Sequence, residues 1–92
     1  MNMNEKEILN SLGYVTASTY RLKVITYIGN GVKIPSDIAK HVGVRTNHIS
    51  NVLADLKNHN LVLCLNEDAH KGRLYKNTQL ALDILDYLKN ME

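Results

Sequence analysis

PSDIAKHVGVRTNHISNVLA, residues Pro35 to Ala54, decides how the rest of the chain is read. Two short amphipathic segments flank a turn. In the second, Ile49, Val52, Leu53 and Leu56 recur at i, i+3, i+4 and i+7 and share one side of a helix. Arg45, Thr46, Asn47, His48 and Asn51 point elsewhere, and all carry hydrogen-bonding groups. In the first segment Ile38, Ala39 and Val42 form the apolar stripe. Gly43 marks where that helix stops, because the reversal after it often needs a positive φ, which glycine adopts without steric cost. The small side chain of Ala39 lets the second helix cross close over the first. Small residue, turn glycine and buried aliphatic at these offsets make the helix-turn-helix pattern, whose second helix is expected in a DNA major groove.

With 92 residues the chain is expected to form one domain, with 14–78 as its core and flanking helices in 1–13 and 78–92. Hydrophobic residues make up 45% and charged residues 22%, so there is apolar surface enough to fold. With no Trp and no Phe, the core must be aliphatic, with five Tyr at its margins. Net charge is +2, which allows a nucleic-acid partner without demanding one. Residues 1–44 and 45–76 each carry +2 and residues 77–92 carry −2, so the positive charge lies away from the C-terminal end. A lone cysteine, Cys64, rules out an internal disulfide and fits a reducing cytoplasm, the expected location. No apolar run approaches the length of a membrane span, and the opening MNMNEKE does not read as a signal peptide.

Asn4 to Leu12 reads as a short helix that Gly13 ends. Thr16 to Ile28 reads as the next, capped by Thr16 or Ser18, with Tyr20, Val24 and Ile28 in one stripe and Arg21 and Lys23 facing out. Val32 to Ile34 reads as a very short strand after the Gly29-Asn30-Gly31 break. Pro35 suits a first helical turn, but Ile34 cannot cap it, so Ser36 is the expected cap. Arg45 sits where a capping Ser or Thr is usual. Thr46 is then the expected cap, and Arg45 is free to reach a phosphate or a guanine edge. The recognition helix spans about 46–58, and Asn58 or Asn60 supplies the left-handed turn after it.

Leu61 to Leu65 and Arg73 to Lys76 read as two strands of a hairpin within about 61–76, with the polar loop Asn66 to Gly72 between them. His70, Lys71, Arg73 and Lys76 lie on its tip and second strand. A basic hairpin behind a recognition helix is a wing, which presses on phosphates or dips into a minor groove. Glu67 and Asp68 at the same tip oppose that role. Thr78 caps a last helix running to about Met91. Its apolar residues cover more than one stripe, which points to a second buried contact. Leu80, Ile84, Tyr87, Leu88 and Met91 are assigned to a homodimer interface on this ground. The alternative is that the N-terminal helix covers the excess.

The order helix, helix, short strand, helix, turn, helix, hairpin, helix, mainly α with a small β-hairpin, resembles the winged helix-turn-helix fold. The segments STYRLKVI, PSDIAKHVG, HISNVLADLKNHNLV and GRLYKNT, which span nearly all of residues 18–78, resemble small archaeal winged helix-turn-helix transcriptional regulators of the ArsR/MarR-like kind. The resemblance implies a transcription factor, with Thr46, Asn47, His48, Ser50 and Asn51 facing DNA and Lys71 and Arg73 on its backbone. The sequence departs from the pattern at the two cap positions, Ile34 and Arg45.

The expected function is sequence-specific binding of double-stranded DNA, with Arg45, Thr46, Asn47, His48 and Asn51 at base edges and Ser36, Ser50, Lys71, Arg73 and Lys76 on the backbone. A homodimer is expected, and contact with the basal transcription machinery is admitted. The competing reading is a winged-helix adaptor that joins proteins without reading bases. The polar 45–51 face favours DNA over it. His48 and His59 share a helix face but stand about 16 Å apart at 1.5 Å per residue, too far for one metal ion. No metal or cofactor is expected. Cys64 reads as a small core residue, and with no catalytic triad, phosphate loop or carboxylate pair an enzyme is not expected.

Overall fold

The computed structural model describes residues 5–91. Its elements follow as α1 (Glu5–Thr16), α2 (Thr19–Ile28), α3 (Pro35–Val42), α4 (Thr46–Asn58), β1 (Val62–Cys64), β2 (Tyr75–Asn77) and α5 (Gln79–Asn90). The Asn4 cap expected from the sequence lies outside the described residues.

The first helix does not stop at Gly13. It continues to Thr16, and the Ala17 N–H then bonds to the Gly13 carbonyl. A glycine inside a helix costs about 1 kcal/mol relative to alanine. Burial of Val15 with no exposed surface, together with the packing of Tyr14 on the core, outweighs that cost. Ser18, the second of the two expected caps, starts α2 by accepting the Arg21 N–H on its hydroxyl. Thr16 instead donates its hydroxyl to the Leu12 carbonyl at 2.8 Å. Arg21 does not face out as expected. Its guanidinium lies 3.8 Å above the Tyr14 ring and donates to the Tyr14 carbonyl at 2.8 Å. Tyr20, placed in the core stripe by its spacing, is 39% exposed.

Both expected caps of the central helix pair are corrected. α3 begins at Pro35 with Ile34 as its extended N-cap, and α4 begins at Thr46 with Arg45 in that place; neither cap makes a side-chain bond. Pro35 has no N–H to satisfy and a φ already set for a helix, so no late start at Ser36 is needed. Ile49 and Ile38, both fully buried, fix the register of the two helices from inside. Between them Gly43 takes φ 87°, and the N–H groups of Gly43 and Val44 both bond to the Ala39 carbonyl, at 2.8 and 3.1 Å. Asn60, with φ 59°, makes the left-handed turn out of α4.

β1 and β2 pair antiparallel, with Val62 opposite Asn77, Leu63 opposite Lys76 and Cys64 opposite Tyr75. The strand expected at 32–34 reduces to one bridge, in which Lys33 and Tyr75 exchange both backbone bonds. Thr78 caps α5 by accepting the Ala81 N–H.

α2 runs through the middle of the molecule and packs on α1, α3, α4, α5 and β2. One aliphatic cluster results, with Val24, Ile25 and Ile28 of α2 at its centre. Leu80 (4% exposed) and Ile84 (0%) belong to this cluster. Their assignment to a dimer interface is therefore corrected: they are sealed within their own chain. The breadth of the apolar surface on α5 is instead taken up by three neighbours, α1, α2 and β2. Tyr87 and Met91 remain exposed, and Leu88 is half-buried.

Among the described residues one polar side chain enters the core. Asn77 is buried, and its amide donates to the carbonyls of Ile25 and Gly29, both at 2.9 Å, tying β2 to the end of α2. Asn77→Ala is expected to lower stability by about 1–2 kcal/mol, since it removes two hydrogen bonds that join β2 to α2, although the Ile25 carbonyl keeps the Gly29 N–H. Chemical unfolding checks this; a loss below about 0.5 kcal/mol, the range of neutral surface changes, would refute it.

Candidate nucleic-acid interface

α4 separates its residues cleanly. Ile49, Leu53 and Leu56 have no exposed surface, whereas Arg45, Thr46, Asn47, His48, Ser50 and Asn51 are all exposed. The expected span of 46–58 coincides with the observed helix. Asn47 and Asn51 are one turn apart, and no side-chain hydrogen bond among the described residues occupies either amide. An unoccupied carboxamide offers a donor and an acceptor side by side, the pair that matches an adenine edge.

Beside this face lies a cleft of about 550 Å³ between the start of α3, one flank of α4 and the hairpin. Ser36, Thr46, Ser50, Lys57, Lys71 and Arg73 line it. Four of the five residues assigned to backbone contact are thus brought together. The fifth, Lys76, is not. Its strand neighbours Tyr75 and Asn77 are buried, so the alternation of the strand turns Lys76 to the opposite face. There it lies beside Gly29, Asn30, Gly31 and Gln79.

The hairpin loop is shaped by two side chains. Asn66 Oδ1 accepts the Leu74 N–H at 2.7 Å, and its amide donates to the Gly72 carbonyl. Arg73 donates from Nε to the Ala69 carbonyl at 2.8 Å and from Nη2 to the Glu67 carbonyl at 3.0 Å. Two of the Arg73 donors therefore hold the loop itself, a role the sequence did not announce.

Glu67 was expected to repel phosphates, yet its carboxylate is paired with Lys57 of α4. The hydrogen bond between them raises the Lys57 ammonium above its ordinary pKa and lowers the Glu67 carboxyl below its own. Lys57 was missed at the sequence level, because its partner is ten residues away across the hairpin.

Three of the four histidines each meet a tyrosine. His48 and Tyr20 meet in a T-shaped contact at 4.9 Å between ring centres, while His59 stacks on Tyr14 at 3.6 Å and His41 on Tyr27 at 4.0 Å. Tyr20, also missed, thereby sits against the exposed face of α4. Tyr14 is held above the ordinary tyrosine pKa, first by burial. Cys64 is half-buried in β1 with its sulfur 3.6 Å from Asn66 Oδ1. Among the described residues no group of three or more His, Cys, Asp or Glu is placed to hold a metal ion, and no helix is long and apolar enough to cross a membrane.

No protein-family model matches the sequence, and no curated protein matches it closely. Solved structures do match the geometry. NolR from Sinorhizobium fredii superposes with a TM-score of 0.75 at 18% identity, over 99% of this chain and 95% of that one. HlyU from Vibrio cholerae gives 0.74 at 15% identity, over 99% and 97%. A third is fragment 1–100 of Mb0332 from Mycobacterium bovis, described as a homodimeric winged helix-turn-helix DNA-binding domain of a possible ArsR-family transcriptional regulator. It gives 0.72 at 16% identity, over 98% and 87%. The fold is a winged helix-turn-helix. α3 and α4 are its helix pair, and the β1–β2 hairpin is the wing.

Proposed function

We propose that this protein is a sequence-specific, double-stranded-DNA-binding transcriptional regulator, with α4 in the major groove and the wing on the flanking backbone. The observation that carries the reading is the exposed, wholly polar face of α4 from Arg45 to Asn51, set beside a cleft lined with hydroxyls and cations. An adaptor that binds proteins through this helix would present apolar side chains there. Arg45, Thr46, Asn47, His48 and Asn51 are assigned to base edges. Ser36, Ser50 and Lys71 are assigned to phosphates, joined by whatever donor capacity Arg73 has beyond the loop. Mb0332, which has the same fold, is described as DNA-binding, and this supports the assignment.

A C2 homodimer is part of the proposal, and the homodimeric state described for Mb0332 supports it. The apolar side chains available for it are Tyr87 and Leu88 of α5, Met91 just after it, and Leu9 of α1, which is 43% exposed. Two α4 helices would then enter successive major grooves about 34 Å apart.

Selection of binders from a random duplex library, followed by sequencing, tests both parts. A two-fold-symmetric motif is expected. An asymmetric motif would remove the dimer and keep the regulator; no enrichment would remove base reading and leave the helix pair as a scaffold. Lys71→Ala is expected to weaken all duplexes alike and to flatten the dependence of log K on log salt by about one unit. A loss confined to the selected sequence would move Lys71 from the backbone to a base edge.

A further inference from the structure

Along α4, Thr46, Ser50, Ala54 and Lys57 recur at i, i+4, i+8 and i+11, and all four line the cleft under the wing. Lys57 is the one Lys or Arg within α4. It stands at the end of a stripe that begins with two hydroxyls, and Lys71 of the wing lines the same cleft. Its ammonium is bonded to the Glu67 carboxylate of the wing. We propose that Lys57 is a DNA-phosphate ligand held in reserve, and that Glu67 occupies the place of the phosphate until DNA displaces it. The proposal rests on the DNA-binding reading above.

The chemistry of the exchange is direct. A carboxylate and a phosphodiester offer an ammonium the same kind of charge-assisted acceptor. Both partners of the ion pair are largely in solvent, with 42% and 60% of their side chains exposed, and exposed pairs are weak. A duplex offers Lys57 a phosphate and, in addition, the release of a condensed counterion. With the cleft filled by a phosphate, the Glu67 carboxylate would face a like charge and must turn away. The rest of the wing need not move. The Glu67 carbonyl stays clamped by Arg73, and the loop stays closed by Asn66, so rotation of one side chain suffices. Glu67 thus sets the backbone affinity of the protein without touching a base, lowering binding to all sequences alike.

The test uses the full chain and two duplexes, the one recovered by selection and a scrambled one, titrated over a salt series. Glu67→Gln keeps the shape and removes the charge. It is expected to tighten both complexes about threefold or more with little change in the salt slope, because Lys57 reaches the phosphate in the bound state either way. Lys57→Ala is expected to weaken both and flatten the slope by about one unit. In the double variant Glu67→Gln should change affinity by less than about twofold relative to Lys57→Ala alone, because the cation it releases is gone. An equal gain with and without Lys57 would show that Glu67 only repels DNA at a distance, and would overturn the exchange. An unchanged affinity for Lys57→Ala would overturn the ligand itself. If the unaltered chain binds neither duplex at low salt, the DNA-binding reading falls and takes this proposal with it. Both side chains are exposed, so unchanged unfolding transitions are expected for all three variants.

Discussion

Ile49→Ala is expected to lower the stability of this domain by about 2–5 kcal/mol. Ile49 lies in the first turn of α4 and has no exposed surface. It shares one core cluster with Ile38 and Ala39 of α3, so it is part of the contact that sets the crossing of the two helices. The start of α4 has no side-chain cap, because Arg45 makes no capping bond. Burial of Ile49 therefore does the work that a serine or threonine does at other helix starts. Truncation removes apolar contact and leaves a cavity that the surrounding aliphatics fill only in part. Domains of this size have about 5–15 kcal/mol in total, so a large share of the stability rests on this one side chain. Denaturant unfolding with an unchanged m-value is the measurement. A loss under about 1 kcal/mol would mean that α3 and α4 close up around the gap. Thr46→Ala, one turn away on the exposed side, is the comparison. Thr46 is not the cap, so its removal should cost less than about 0.5 kcal/mol.

Asn51→Ala is expected to reduce discrimination at one base pair of the DNA site by about 1–3 kcal/mol, a factor of roughly 5 to 150. Asn47→Ala should do the same at a different base pair. Both side chains are exposed on α4, one turn apart, on the face opposite Ile49 and Leu53. A carboxamide in the groove donates to one atom of adenine and accepts from another, and alanine can do neither. The expected signature is a relaxed preference at one position with little change in the salt slope, since no phosphate contact is lost. Repeating the duplex selection with each variant reads this out. An unchanged base preference in both variants would leave the two asparagines as solvated amides and shift base reading to Arg45 and His48.

Much of the helix pair was legible because its signals are local. Gly43 at φ 87° is the turn its position announced, Asn60 is the left-handed residue after α4, and Thr78 caps α5 through the Ala81 N–H. Each is a bargain between a residue and backbone groups a few positions away, and spacing alone reveals it. Where local rules failed, the core overruled them. Gly13 is helical because Tyr14 and Val15 need a helix to reach the core. Ile34 and Arg45 stand at N-cap positions because Ile38 and Ile49 must point inward, and a helix held from inside tolerates an uncapped start.

The site divides in the same way. Composition and periodicity sufficed to separate the dry face of α4 from its wet one, and to place Lys71 and Arg73 on a wing behind it. They could not show that Lys76 faces the other side of the hairpin, since the inward turn of Tyr75 and Asn77 depends on what they pack against. Nor could they show that Leu80 and Ile84 serve the chain's own core, because the two helices that cover α5 come from the opposite end of the sequence. The pairing of Lys57 with Glu67, the tie of Asn77 to α2 and the contact of Tyr20 with His48 are likewise invisible in one dimension. By itself the sequence determined the order of elements, the turn and the polar face of α4, all products of short-range backbone and periodicity rules. Only the tertiary structure decided which side chains share the cleft, because that depends on long-range packing that brings the start of α3, the flank of α4 and the wing to one place.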